Sequence, residues 1–213
     1  MPSSPGYSTG NLVALIAGVG VVVLVVVSAL AFIGFSRFAG SSTGAGFSPA
    51  ARALPSSSSH ASTGGIPCDQ LEHTHVHYHV GLQILNQGET VPISTGVGRT
   101  VSCFYWLHMH TGEPGIIHIE APSNTTFTLG DFFSVWGAWT GRPQPLDATH
   151  VSTFTLSGSQ KLLVYVDLGT GAGPAVFTGD PKSIVLKEHE EITLEITPPA
   201  VSPPPAFPWP PGF

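Results

Sequence analysis

Histidine occupies every second position from His73 to His79, and the alternation returns at His108 and His110. Side chains spaced by two share a face only in extended backbone, so this pattern commits both stretches to β-structure. His73, His75, His77 and His79 then project together, while Val76, Tyr78, Val80, Leu82 and Ile84 line the opposite face. Phe104, Trp106, His108 and His110 share one parity, opposed by Tyr105, Leu107 and Met109. Further on, His118 and Glu120 are opposed by Ile117 and Ile119. A hairpin register pairing residues whose numbers have an even sum places His108, His110, His118 and Glu120 on one surface. The expected product is a sheet with an apolar side and an imidazole side.

Such a surface suits a metal ion. Same-face Cα atoms are about 6.6–7 Å apart along a strand, so two imidazoles can converge on an ion with bonds of ~2 Å while a neighbouring strand adds a third. Four histidines in a row span about 20 Å, too far for one ion, so either two sites exist or only a subset ligates. The candidate ligands are His73, His75, His77, His79, His108, His110, His118 and Glu120. Nitrogen donors without thiolate favour copper or zinc, and Glu113 or Glu120 would admit iron or manganese. His60, His150 and His189 stand apart and read as structural. A pH-sensing surface is the competing use, because crowded imidazoles repel one another once protonated. Protonating all ten histidines would move the net charge from −6 to +4.

Cys68 and Cys103 each precede an H-x-H pair with the spacing C-x4-H-x-H. That echo would bring the sulfurs together if the two strands ran parallel. Parity places both on the apolar side, so a Cys68–Cys103 disulfide is favoured over thiolate ligation. A blue-copper set of Cys103, His108 and Met109 is disfavoured, since adjacent His and Met point to opposite faces.

The remaining signals are also mostly β. Residues 74–85 and 90–94 form a hairpin across Asn86-Gln87-Gly88-Glu89, and residues 103–110 and 116–121 form a second across 111–115. Later strands are expected at 151–156, 161–168 and 190–196. One short helix interrupts them, capped by Thr128 with Asp131 three residues on and stopped at Gly137, with Phe132, Phe133 and Trp136 facing the core. A small sandwich or barrel with one helix, spanning residues 67–196, fits this order.

Outside that domain the chain changes character. After a short tail (1–11), residues 12–35 carry no ionisable side chain, enough to cross a ~30 Å hydrocarbon core as a single transmembrane helix. The stretch exceeds the usual apolar region of a cleaved signal and lacks a positive segment before it. Residues 36–66 are rich in Ser, Gly and Ala and read as a flexible linker. Residues 197–213 hold eight prolines among Phe207, Trp209 and Phe213, and are expected to form an extended, disordered tail, with docking through its aromatics as the alternative. The flanking charges Arg37 and Arg52 taken alone would put the domain in the cytoplasm. The paired Cys, scarce Lys and the sequon at Asn124 place it instead on the extracytoplasmic side of a cell membrane. Only seven Lys and Arg exclude a phosphate-tracking surface, so nucleic acid is not an expected partner.

The segments His75-Val76-His77-Tyr78-His79, Trp106-Leu107-His108-Met109-His110, Gly115-Ile116-Ile117-His118-Ile119-Glu120 and Phe127-Thr128-Leu129-Gly130-Asp131-Phe132-Phe133 resemble an uncharacterised prokaryotic family. Its members are membrane-anchored or secreted, with a histidine-rich β-domain. The resemblance is good over residues 72–137 and loose over 180–196. It implies importance for His108, His110 and His118 and supplies no activity. Where the family pattern often has Asp after the second His, this chain has Thr111 and a turn one residue longer, leaving Glu113 as the nearest acidic substitute.

Three functions are compatible with these features. The first is a membrane-anchored module that captures or passes on copper or zinc. The second is a metal-dependent lyase or hydrolase with an open three-histidine site and Glu113, Glu120 or Asp131 as acid–base group. The third is an accessory subunit of a membrane complex, docked through the anchor and the Trp209 tail. No phosphate-binding loop, nucleophile elbow or HExxH motif occurs.

Overall fold

A computed structural model describes residues 62–213. The expected span at 12–35 and most of the linker lie outside them. Among the described residues, no helix is long and apolar enough to cross a membrane.

The chain opens with β1 (Ser62–Thr63) and β2 (Ile66–Asp69), then the long β3 (Val76–Asn86) and its partner β4 (Glu89–Val91). The short β5 (Phe104–Tyr105) and β6 (Leu107–His108) lead into β7 (Ile116–Ala121) and the helix α1 (Leu129–Thr140). After it come β8 (Leu146–Asp147), β9 (His150–Val151), β10 (Phe154–Thr155), β11 (Lys161–Asp167), β12 (Ala175–Val176) and β13 (Glu190–Thr197). The main sheet runs β12-β11-β13-β3-β7-β6, with β4 added to β3, and two three-stranded sheets, β1-β2-β5 and β10-β9-β8, flank it. The fold is mostly β with one helix, as the sequence predicts, but the sheets do not close into a barrel. Its centre is a parallel pairing of β3 with β13, in which Leu82 lies beside Ile192 and Ile84 beside Leu194.

The period-two pattern divides this sheet as expected. Val80, Leu82, Ile84, Ile117, Ile119, Ile192, Leu194 and Ile196 share one buried core with Leu129, Phe132 and Trp136 of α1. The helix spacing of Leu129, Phe132, Phe133 and Trp136 builds the stripe that covers that face. Thr128 and Asp131 form the expected capping box. The helix does not stop at Gly137, however, and runs to Thr140 with Gly141 as its left-handed cap (φ 67°). Trp139 explains the added turn: its indole N–H donates to the Arg99 carbonyl at 2.8 Å, tying the helix end to the loop before β5.

Two further expectations are corrected. The strand expected at 151–156 is a tight hairpin of β9 and β10, turned by Ser152 with positive φ. The segment 197–213 is not a disordered end but folds back over the second face of the sheet. Gln83 Nε2 donates to the carbonyl of Pro205 at 2.6 Å, the Phe207 amide to Glu191 Oε2 at 2.9 Å and the Trp209 indole to Glu191 Oε1 at 2.8 Å. Phe207 is buried over Gly81, where a Cβ would stand 2.7 Å from its ring. Residues 62–66, placed in the linker by composition, instead form β1 and the start of β2, with Ile66 in the core.

Candidate metal centre

Three adjacent strands bring the histidines abreast. In the β3–β7 ladder His79 lies opposite His118 and His77 opposite Glu120, and in the β6–β7 ladder His108 lies opposite His118. The second pairing has the even-sum register expected for the hairpin. His108, His110, His118 and Glu120 each offer a ligand atom within 4.8 Å of the others, and His77, His79 and His118 form a second such group. The rings of His110 and His118 stack at 4.0 Å, and those of His108 and His118 at 5.5 Å.

The tautomers follow from what each nitrogen touches. His108 Nδ1 lies 2.8 Å from the Tyr105 carbonyl, which can only accept, so Nδ1 carries the proton and Nε2 presents its lone pair. That Nε2 is 3.1 Å from His110 Nε2. His118 Nε2 lies 2.8 Å from Glu113 Oε2, which leaves Nδ1 bare. The bare nitrogen is buried without a hydrogen-bond partner and lies 3.7 Å from Glu120 Oε1. Glu120 Oε1 is also 3.4 Å from His77 Nε2 and 3.9 Å from His108 Nε2. Tetrahedral zinc with nitrogen ligands holds adjacent donors about 3.3 Å apart. With all four donors within 4.8 Å of one another, side-chain shifts of up to about 1.5 Å would bring them onto one ion.

Electrostatics set the protonation that a cation requires. Burial pushes His108 down to about 4, against the pull of the Tyr105 carbonyl and Glu120. Burial, reinforced by His118 and His77, also pushes His79 down to about 4. His110 is lowered by burial, then by His118 and Arg99. Burial alone would raise Glu120, but contact with His118, followed by His108 and His77, outweighs it and holds the carboxyl below its ordinary value. At neutral pH His79, His108 and His110 are thus neutral and Glu120 is ionised, the state that binds a dication.

The structure does not gather every candidate. His73 and His75 precede β3, where strand parity no longer applies, and neither belongs to the two groups. His73 Nε2 instead meets Asp69 Oδ2 at 2.7 Å, beside the Trp106 indole that donates to the same oxygen. His75 is exposed. His150 pairs with Asp147 at 3.2 Å; His189 lies by Trp209 and donates its amide to the His79 carbonyl at 2.9 Å; neither imidazole belongs to the two donor groups, and His60 is outside the described residues. The Cys68–Cys103 disulfide is present, although β2 and β5 run antiparallel and not parallel, with Cys68 opposite Tyr105. The C-x4-H-x-H echo therefore does not align two strands.

Two further groups reach the cluster from outside its strand alternation. Glu72, on the loop before β3, places Oε1 3.4 Å from His110 Nε2 and 3.5 Å from His108 Nε2, with the Arg99 guanidinium 3.7 Å behind it. Phe213 sets its ring against His79 at 4.8 Å, edge to face. Its clue was the aromatic content of the proline-rich tail. No protein-family model, curated protein or solved structure matches this chain.

Proposed function

We propose that this protein binds a divalent metal, copper or zinc, through His108, His110, His118 and Glu120, and that it captures or passes on that ion. The observation that carries the reading is the buried, unpartnered His118 Nδ1 set among donors already deprotonated and within 4.8 Å of one another. An orphaned buried nitrogen costs about 1–3 kcal/mol, a cost that ligation would relieve. With both cysteines in the disulfide, the donors are imidazole and carboxylate, a set suited to Zn²⁺ or Cu²⁺. Four protein donors would fill a tetrahedral shell, which favours capture or transfer over a hydrolase's open position.

The tautomer of His108 is held by the Tyr105 carbonyl, and Glu113 would orient His118 and face His110 Nδ1 at 3.7 Å. Such outer contacts keep imidazoles aimed and basic. An extracytoplasmic, membrane-anchored setting belongs to the same proposal. It is supported by the disulfide, the exposed Asn124 sequon and the uncharged stretch at 12–35.

The test is the metal content of the full chain, purified without chelator, beside His108→Ala with His110→Ala. The double variant is expected to lose at least one equivalent while keeping its circular dichroism. Unchanged metal content would refute the assignment.

A further inference from the structure

His118 belongs to both donor groups, and the second group, His77, His79 and His118, lies on the side of the cluster covered by Phe213. A single four-coordinate ion on His108, His110, His118 and Glu120 would leave His77 and His79 without a role. Yet their placement is specific. His79 stands directly opposite His118 in the ladder, the two rings 4.5 Å apart, and the His77 ring lies 4.9 Å from that of His79. His77 Nε2 is the nitrogen nearest Glu120 Oε1, at 3.4 Å, closer than any donor of the first group.

Glu120 is therefore positioned between the pairs. Glu120 contacts His77 on one side and His108 on the other, and a carboxylate can bridge two ions about 3.5–4 Å apart. His118 can serve one ion only: its Nε2 donates to Glu113, and Nδ1, 3.7 Å from Glu120 Oε1, is the nitrogen left for a metal. We propose that this face holds two divalent ions, one on His108, His110 and His118 and one on His77 and His79, bridged by the carboxylate of Glu120. Phe213 stands edge-on to His79 and 6.1 Å from His118, beside the second position. This inference rests on the metal-binding reading above.

The experiment is a zinc count on the full chain, stripped with chelator, reloaded with excess Zn²⁺ and desalted. The wild type is expected to retain two ions per chain, and His77→Ala with His79→Ala to retain one. A single ion in the wild type overturns the paired centre and leaves the binding reading intact. No retained ion removes both. Two ions in the variant would also overturn the assignment, because the second would then lie elsewhere. Loading with Cu²⁺ adds a readout that does not depend on the variant's folding. The bridging carboxylate couples the two spins and suppresses the isolated-copper resonance, and two full-intensity uncoupled signals would overturn the proposal.

Discussion

Glu190 and His108 are buried ionisable groups whose environments act in opposite directions with pH. Burial raises Glu190 to about 7, against the Lys187 amide that donates to its carboxylate at 3.3 Å. Between about 4.5 and 7 the folded chain keeps a proton that the unfolded chain has released, so Glu190 makes stability fall as pH rises through that window. His108, lowered to about 4, does the reverse. Between about 4 and 6.5 the unfolded metal-free chain gains a proton that the folded one refuses, and stability rises with pH. Glu190→Gln keeps an acceptor for the Lys187 amide and cannot ionise. The metal-free variant should be more stable than wild type by about 1–3 kcal/mol at pH 8 and nearly equal to it at pH 4. Urea unfolding with chelator present measures this, and an equal gap at both pH values would contradict the burial of an ionised Glu190.

The tail and the disulfide are the two elements that composition alone misjudges or leaves open. Phe207 can lie on β3 only because position 81 is glycine, since a Cβ there would come within 2.7 Å of its ring carbon. Gly81→Ala should therefore lift Phe207, costing roughly 1.5–3 kcal/mol of buried aromatic surface. It should also break the Phe207 amide bond to Glu191 and carry Phe213 off His79. Hydrogen exchange at the Phe207 amide reports this directly, and protection equal to wild type would show that the tail is held by something else. The aromatics of 197–213 hinted at docking but not at where, because the anchors are side chains of β3 and β13: Gln83, 122 residues from its partner Pro205, and Glu191, 16 and 18 residues from Phe207 and Trp209.

The molecule as a whole is stapled where its regular structure is thinnest. Between Asp69 and Phe104 the chain leaves the small β1-β2-β5 sheet and returns to it, and the Cys68–Cys103 bridge closes that excursion across a sequence separation of 35. Loop closure of this length is worth about 3–4 kcal/mol. Cys68→Ser with Cys103→Ser is expected to lower the unfolding free energy by about 2–4 kcal/mol, read by urea unfolding at neutral pH. A loss under about 0.5 kcal/mol would mean that β2 and β5 hold together without it. The same bridge stands beside the loop that carries Glu72 to His108 and His110, so the variant also tests how far the metal centre depends on that loop.

Alternation along a strand is a local property: each residue turns its side chain opposite to the last, whatever the rest of the chain does. For that reason the imidazole and apolar faces of β3 and β7, the capping box at Thr128 and the common side of His118 and Glu120 could be read from the residues. The exclusion of His73 and His75 could not, because where β3 begins depends on the strands beside it. Nor could the parallel meeting of β3 with β13, the arrival of Glu72 at His108, or the return of the tail over Gly81. Those contacts join residues distant in sequence, and only the burial of one shared core decides which distant partners meet.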